Sequence, residues 1–183
     1  MERRSYDFDE QLAFSVEAQG RPFEAIIADT LPGIASVTKT SVAVDKTGID
    51  YIAKTNGGAQ VNIDLKLRDA GCSSYWATGE EELALEVWSV KPENGKRGRV
   101  GWTLDDSKAT DYTLHAFDPL DSTRIFLLPF QLLRAAFKRR GRAWYYEFEN
   151  AVQSSGQWRS ECIFVPVSHV LEAIGNEMER HRR

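Results

Sequence analysis

Cysteine is nearly absent from this chain, with two residues in 183, Cys72 and Cys162. They lie far apart and form no CxxC pair, so neither a zinc cluster nor a disulfide scaffold is expected. Histidine is also scarce. His115, His169 and His181 lack metal-ligand spacing and have no obvious partner, which leaves little basis for histidine catalysis. No apolar run reaches the roughly 18 residues of a membrane span. The opening MERRSYDFDEQ is charged from its start and has no apolar segment, so no signal peptide is expected there. A reduced cytoplasmic setting with no membrane partner fits these absences. Positive charge is not in excess either, since 23 basic residues face 27 acidic ones and the net charge is −4. That excludes a histone-like binder held by bulk charge, but not a local basic surface. A P-loop, a dinucleotide fingerprint, a nucleophile elbow, internal repeats and low-complexity tracts are all missing.

What remains is an ordinary globular composition, 42% hydrophobic and 27% charged. No linker separates two compositions, so residues 1–183 read as a single domain. Asp7 and Glu10 resemble a capping box before a short helix at about 8–17. After Gly20, Pro22 opens a second helix with a stripe of Phe23, Ile26, Ile27 and Leu31, ended by Pro32-Gly33. A β-rich stretch starts near Ile34. Strands are expected at 83–90, 111–117 and 123–128, then a helix from Pro129 that stops at Gly141, and a strand at 143–148. A loop at 152–160, a strand at 161–167 and a helix capped by Ser168 close the chain. Helices first, then strands, then mixed elements indicate an α/β fold bordering on α+β, with a mixed central sheet flanked by helices.

The segment from Thr47 to Asp69 is the most informative. Asn56-Gly57-Gly58 is a strong turn signal between two extended runs. Beyond it Val61, Ile63, Leu65 and Leu67 alternate with Asn62, Asp64, Lys66 and Arg68. A three-residue loop sets Thr55 opposite Ala59 and, counting back, Asp50 opposite Asp64, with both apolar sets on one face. Lys66 shares the face of Asp64. Directly opposed carboxylates about 4.5–5.5 Å apart at Cβ repel and need compensation. A lysine supplies some, and a divalent cation supplies more. Such a group suits phosphodiester hydrolysis. The plainer alternative is a solvated hairpin face with Asp50 and Lys66 in an exposed salt bridge.

Gly-Ile-Asp, a hairpin and then Ile-Asp-Leu-Lys resemble the signature of the PD-(D/E)xK, or restriction-endonuclease-like, nuclease superfamily. Asp50 matches the first acid, Asp64 the second and Lys66 the lysine, while Ile49 stands where the family has proline. The family core is a helix, a three-stranded run, another helix and a further strand, and the elements from Phe23 to about Leu67 follow that order. The resemblance implies Mg²⁺ or Mn²⁺ held by Asp50 and Asp64, with Lys66 assisting a water, and nucleic acid, DNA before RNA, as substrate. Members often act as homodimers on duplexes. Some recruit an acid from the first core helix as a further metal ligand. Glu24 is the candidate here, although a glutamate in a first helical turn is favoured by the macrodipole alone.

Lys138, Arg139, Arg140 and Arg142, with Arg134, form a basic cluster without an intervening acid that would grip phosphates. Ordinary helix-end charge is the alternative. Tyr145, Tyr146 and the five tryptophans offer either stacking surfaces or core. Lys108 and Asp111 either line the same cleft or start a strand. Two functions stand side by side, a metal-dependent nuclease and a catalytically inactive relative that binds nucleic acid or a protein.

Overall fold

The computed structural model describes residues 4–7 (backbone only), 22–41, 48–68, 79–93, 97–117, 124–154 and 158–182. The helix expected at 8–17 lies outside them. Among the described residues there are three helices and two five-stranded mixed sheets, an α+β architecture. The chain divides into two compact units. One comprises Ser15–Cys72 and Ser107–Gln131. The other comprises Met1–Phe14, Ser73–Asp106 and Leu132–Arg183.

In the first unit, α1 (Phe23–Thr30) precedes β2 (Ile34–Lys39), β3 (Tyr51–Thr55) and β4 (Gln60–Arg68). β7 (Tyr112–Phe117) and β8 (Ile125–Pro129) complete a sheet of order β2-β3-β4-β7-β8. β4 and β7 are parallel; the other neighbours are antiparallel. The hairpin has the expected register, with Tyr51 opposite Ile63 and Ala53 opposite Val61. Its loop closes with the Thr55 N–H donating to Ala59 O at 2.9 Å, and Gly58 takes the positive φ of 83° that such a turn requires. Phe23 and Ile27 of α1 pack on Tyr51, Ala53, Ile63, Leu114 and Ala116, all essentially buried. The period of 3.6 on the helix and of 2 on the strands thus converge on one apolar face.

The second unit holds β1 (Arg4–Asp7), β5 (Glu82–Val90), β6 (Arg99–Val100), β9 (Asn150–Ser154) and β10 (Arg159–Pro166), in the order β1-β9-β10-β5-β6. Most of α2 (Phe130–Glu147) and α3 (Val167–His181) belong to it. Four expectations are corrected here. Gly141 does not stop α2, and of the strand expected at 143–148, residues 143–147 are helix. Leu133, Ala136, Phe137, Gly141 and Trp144 are buried at helical spacing, so tertiary packing overrides the glycine and the aromatic β-propensity of the run. Gly141 lies under Phe137, whose ring would stand 3.3 Å from any added Cβ. Of the loop expected at 152–160, the described residues 152–154 and 159–160 are strand, paired as Arg159 with Ser154. Ser168 does not cap α3; its N–H donates to the Glu80 carboxylate instead.

Candidate active site

The site begins where β3 leaves its ladder. Gly48 has φ 82°, and the backbone that follows is fastened on both sides. Thr40 N–H donates to Asp50 O at 2.8 Å, Asp50 N–H donates to Ile63 O at 2.9 Å, and the Thr110 hydroxyl donates to Gly48 O. The Lys108 side chain lies across Gly48 so closely that a Cβ there would sit 2.7 Å from its Cδ. Beyond this point Leu65 needs an acceptor for its N–H, and the Asp50 carboxylate supplies it, with Oδ2 2.6 Å from Leu65 N. A carboxylate accepting a backbone N–H is a strong, orienting contact. It docks the first acid of the motif on the residue that separates Asp64 from Lys66.

Alternation turns Asp64 and Lys66 away from the face that α1 covers. Lys66 Nζ stands 2.7 Å from Asp64 Oδ1. The solvated-face alternative does not hold, because Asp64 is only 4% exposed. The lysine pairs with Asp64 through the two-residue step along one strand. A carboxylate this buried requires a charge partner, and Lys66 provides it.

The parallel neighbour β7 extends the same polar face. Thr113 stands opposite Asp64, and His115 opposite Lys66. Both are buried. The Thr113 hydroxyl makes no hydrogen bond among the described residues. Burial pushes the His115 imidazole down to about 3, with the Lys66 and Arg68 charges adding to the effect. His115 is therefore neutral at physiological pH. Sequence spacing set His115 aside and did not single out Thr113, although two polar side chains at alternate positions of an otherwise apolar TLHAF run were a usable signal.

Glu24 does not join Asp64 and Lys66 on their face. It rises from the first turn of α1, which covers the opposite face. Its field is felt at Tyr51, whose phenol is pushed up to about 12 by burial, then Glu24, then Asp50. Among the described residues no three His, Cys, Asp or Glu side chains form a group able to hold a metal, so Asp50, Asp64 and Glu24 are not a preassembled triad. Asp111 starts a strand: its carboxylate accepts the Asn62 N–H at 2.8 Å and its own N–H donates to Asn62 O.

The basic cluster is sorted by the turns of α2 in the other unit. Lys138 pairs with Asp106 at 2.8 Å, and Arg139 with the buried Glu177 of α3 at 2.7 Å. That arginine holds the Glu177 carboxyl below its ordinary range. Arg140 and Arg142 are exposed. No helix among the described residues is long and apolar enough to cross a membrane. In comparisons with known proteins, no family model, no curated protein and no solved structure gives a significant match to this chain.

Proposed function

We propose that the protein is a metal-dependent nuclease that hydrolyses phosphodiesters of nucleic acid, DNA in preference to RNA, in the manner of the PD-(D/E)xK superfamily. The observation that carries this reading is the Asp50 carboxylate, 2.6 Å from Leu65 N, between a buried Asp64 and its Lys66 partner. The order α1, β2, β3, β4 supports a restriction-endonuclease-like core; the parallel neighbour β7 follows β5 and β6 of the other unit, and among the described residues no helix stands between β4 and β7.

The donor set fits Mg²⁺ or Mn²⁺, since both acids are hard oxygen ligands and a hydroxyl with no protein partner, Thr113, lies across from Asp64. Asp50 and Asp64 would hold the cation. When bound, it would polarise the phosphate and acidify a water. Lys66 releases part of its hold on Asp64 and donates to the attacking water or to the charge developing on the phosphate. Asp50, fixed on Leu65, keeps its carboxylate aimed without reorganisation. Neutral His115 gives Lys66 a neighbour that does not repel it.

Plasmid, linear and branched DNA, incubated with purified protein with and without Mg²⁺ or Mn²⁺, test the reading. Metal-dependent cleavage that is lost in Asp64→Asn and in Lys66→Ala is expected. Unchanged cleavage in both variants would falsify the assignment. A second reading, a catalytically inactive module that binds nucleic acid or protein, is favoured by one observation: the Lys66 ammonium, 2.7 Å away, compensates the buried Asp64 charge. Salt-sensitive DNA binding with no cleavage and no metal uptake would select it.

A further inference from the structure

Tyr146 is the most exposed of the large hydrophobic residues described, at 78%. It ends a row on α2, because Arg134, Lys138, Arg142 and Tyr146 recur every fourth residue. Successive members are neighbours on the helix surface, about 6 Å apart along the axis, and each step turns the row about 40° around it. Beside the row lies a cleft of about 320 Å³, with apolar walls from Val87, Leu104, Phe137 and Ile163 and with Lys138, Arg142 and Tyr146 along it. The exposed ring has firm backing. Tyr145 meets it edge-on at 5.7 Å, and the Tyr145 hydroxyl donates to the buried Glu161 at 3.0 Å.

The charges show where an anion sits. Arg134 and Lys138 converge on the Asp106 carboxylate at 3.2 and 2.8 Å, and that carboxylate is 74% exposed. A water-facing acid held by two cations is an exchangeable counter-ion. Arg142 makes no ion pair among the described residues. An aromatic ring in water, an apolar cleft beside it and a line of cations together match a base with its flanking phosphates. A duplex hides its base faces in the stack and gives the ring nothing to cover.

The geometry points to a binding site for single-stranded nucleic acid on this unit. One base stacks on Tyr146 over the cleft, Arg142 holds an adjacent phosphate, and the half-exposed Lys138 takes another in place of Asp106. The inference rests on the nuclease reading for its role, and it deepens that reading by naming an unpaired strand as what the protein grips.

Fluorescence anisotropy of the full chain in EDTA, with a labelled oligothymidylate and a duplex of equal length, tests it. The wild type binds the single strand more tightly. Tyr146→Ala weakens that binding roughly fivefold to hundredfold, while Tyr146→Phe keeps it within about twofold. Arg142→Ala lowers the slope of log affinity against log salt by about 0.7. The inference is overturned if Tyr146→Ala binds like the wild type, or if Tyr146→Phe loses as much. It is also overturned if duplex and single strand respond alike, or if Tyr146→Ala changes only the oligomeric state. Cleavage by Asp64→Asn is scored separately. An active Asp64→Asn variant sinks the catalytic assignment and leaves the anisotropy result standing. Asp64-dependent cleavage without a Tyr146 effect sinks only the stacking site.

Discussion

Replacing Lys66 with methionine tests the electrostatics of the site before any catalysis is measured. Methionine keeps the aliphatic stem and removes the ammonium, which leaves Asp64 buried at 4% exposure without its charge partner at 2.7 Å. Breaking a buried pair from one side costs about 3–5 kcal/mol. Lys66 keeps 28% side-chain exposure, so the low end applies, about 3 kcal/mol. With a urea m-value of about 2 kcal/mol/M, the unfolding midpoint falls by roughly 1.5 M. Adding Asp64→Asn removes the stranded charge and restores most of the loss, because an amide in that position costs far less than a carboxylate. Urea titrations followed by far-UV circular dichroism at neutral pH, without divalent cations, measure all three proteins. A Lys66→Met midpoint equal to the wild type would refute the reasoning. So would a double variant no more stable than the single one.

Three further outcomes are expected. Asp50→Ala strips the acceptor from the Leu65 N–H and costs about 1–3 kcal/mol in urea unfolding. Asp50→Asn keeps an acceptor there and folds nearly normally, yet slows cleavage by at least about 100-fold in single-turnover assays. His115 has a folded-state value near 3, against about 6.5 in the unfolded chain. The unfolded state therefore takes up the proton first, and His115 removes stability as pH falls below about 6.5, by about 1.4 kcal/mol per unit. Urea midpoints between pH 6 and 4 should fall less steeply in His115→Gln. Gly48→Ala combines a positive φ of 82° with a 2.7 Å approach to Lys108 and costs about 1–2 kcal/mol. Lys108→Ala in the same chain relieves the collision but not the backbone strain, so the double variant recovers only part of the midpoint loss.

The hairpin was legible because two local rules agree. A three-residue glycine turn sets the register, and a slip by one residue would turn Ile63 and Leu65 to the polar face. Strict alternation likewise revealed that Asp64 and Lys66 share a side. Burial of that side was not legible, because it depends on β7 pairing with β4 across the 43 residues between Arg68 and Tyr112, which alternation does not see. Thr113 was missed, and His115 set aside, for the same reason. The docking of the Asp50 carboxylate on Leu65 N was not legible either, because it depends on the β3 ladder beginning only at Tyr51, one residue past Asp50. In α2 the local rule misled, since glycine at 141 serves a close approach to Phe137 and ends nothing. The basic cluster was read correctly as a run, but only the helical turn separates Lys138 and Arg142 from Arg139, which faces Glu177.

Counting bound Mn²⁺ by electron paramagnetic resonance addresses the site most directly, because Mn²⁺ stands in for Mg²⁺ and is seen whether or not substrate is cut. The wild-type protein is expected to take up the ion, Asp64→Asn to lose it, and Asp50→Asn to bind it more weakly. No uptake by the wild type, or equal uptake by Asp64→Asn, would contradict the claim that these two acids form a cation site.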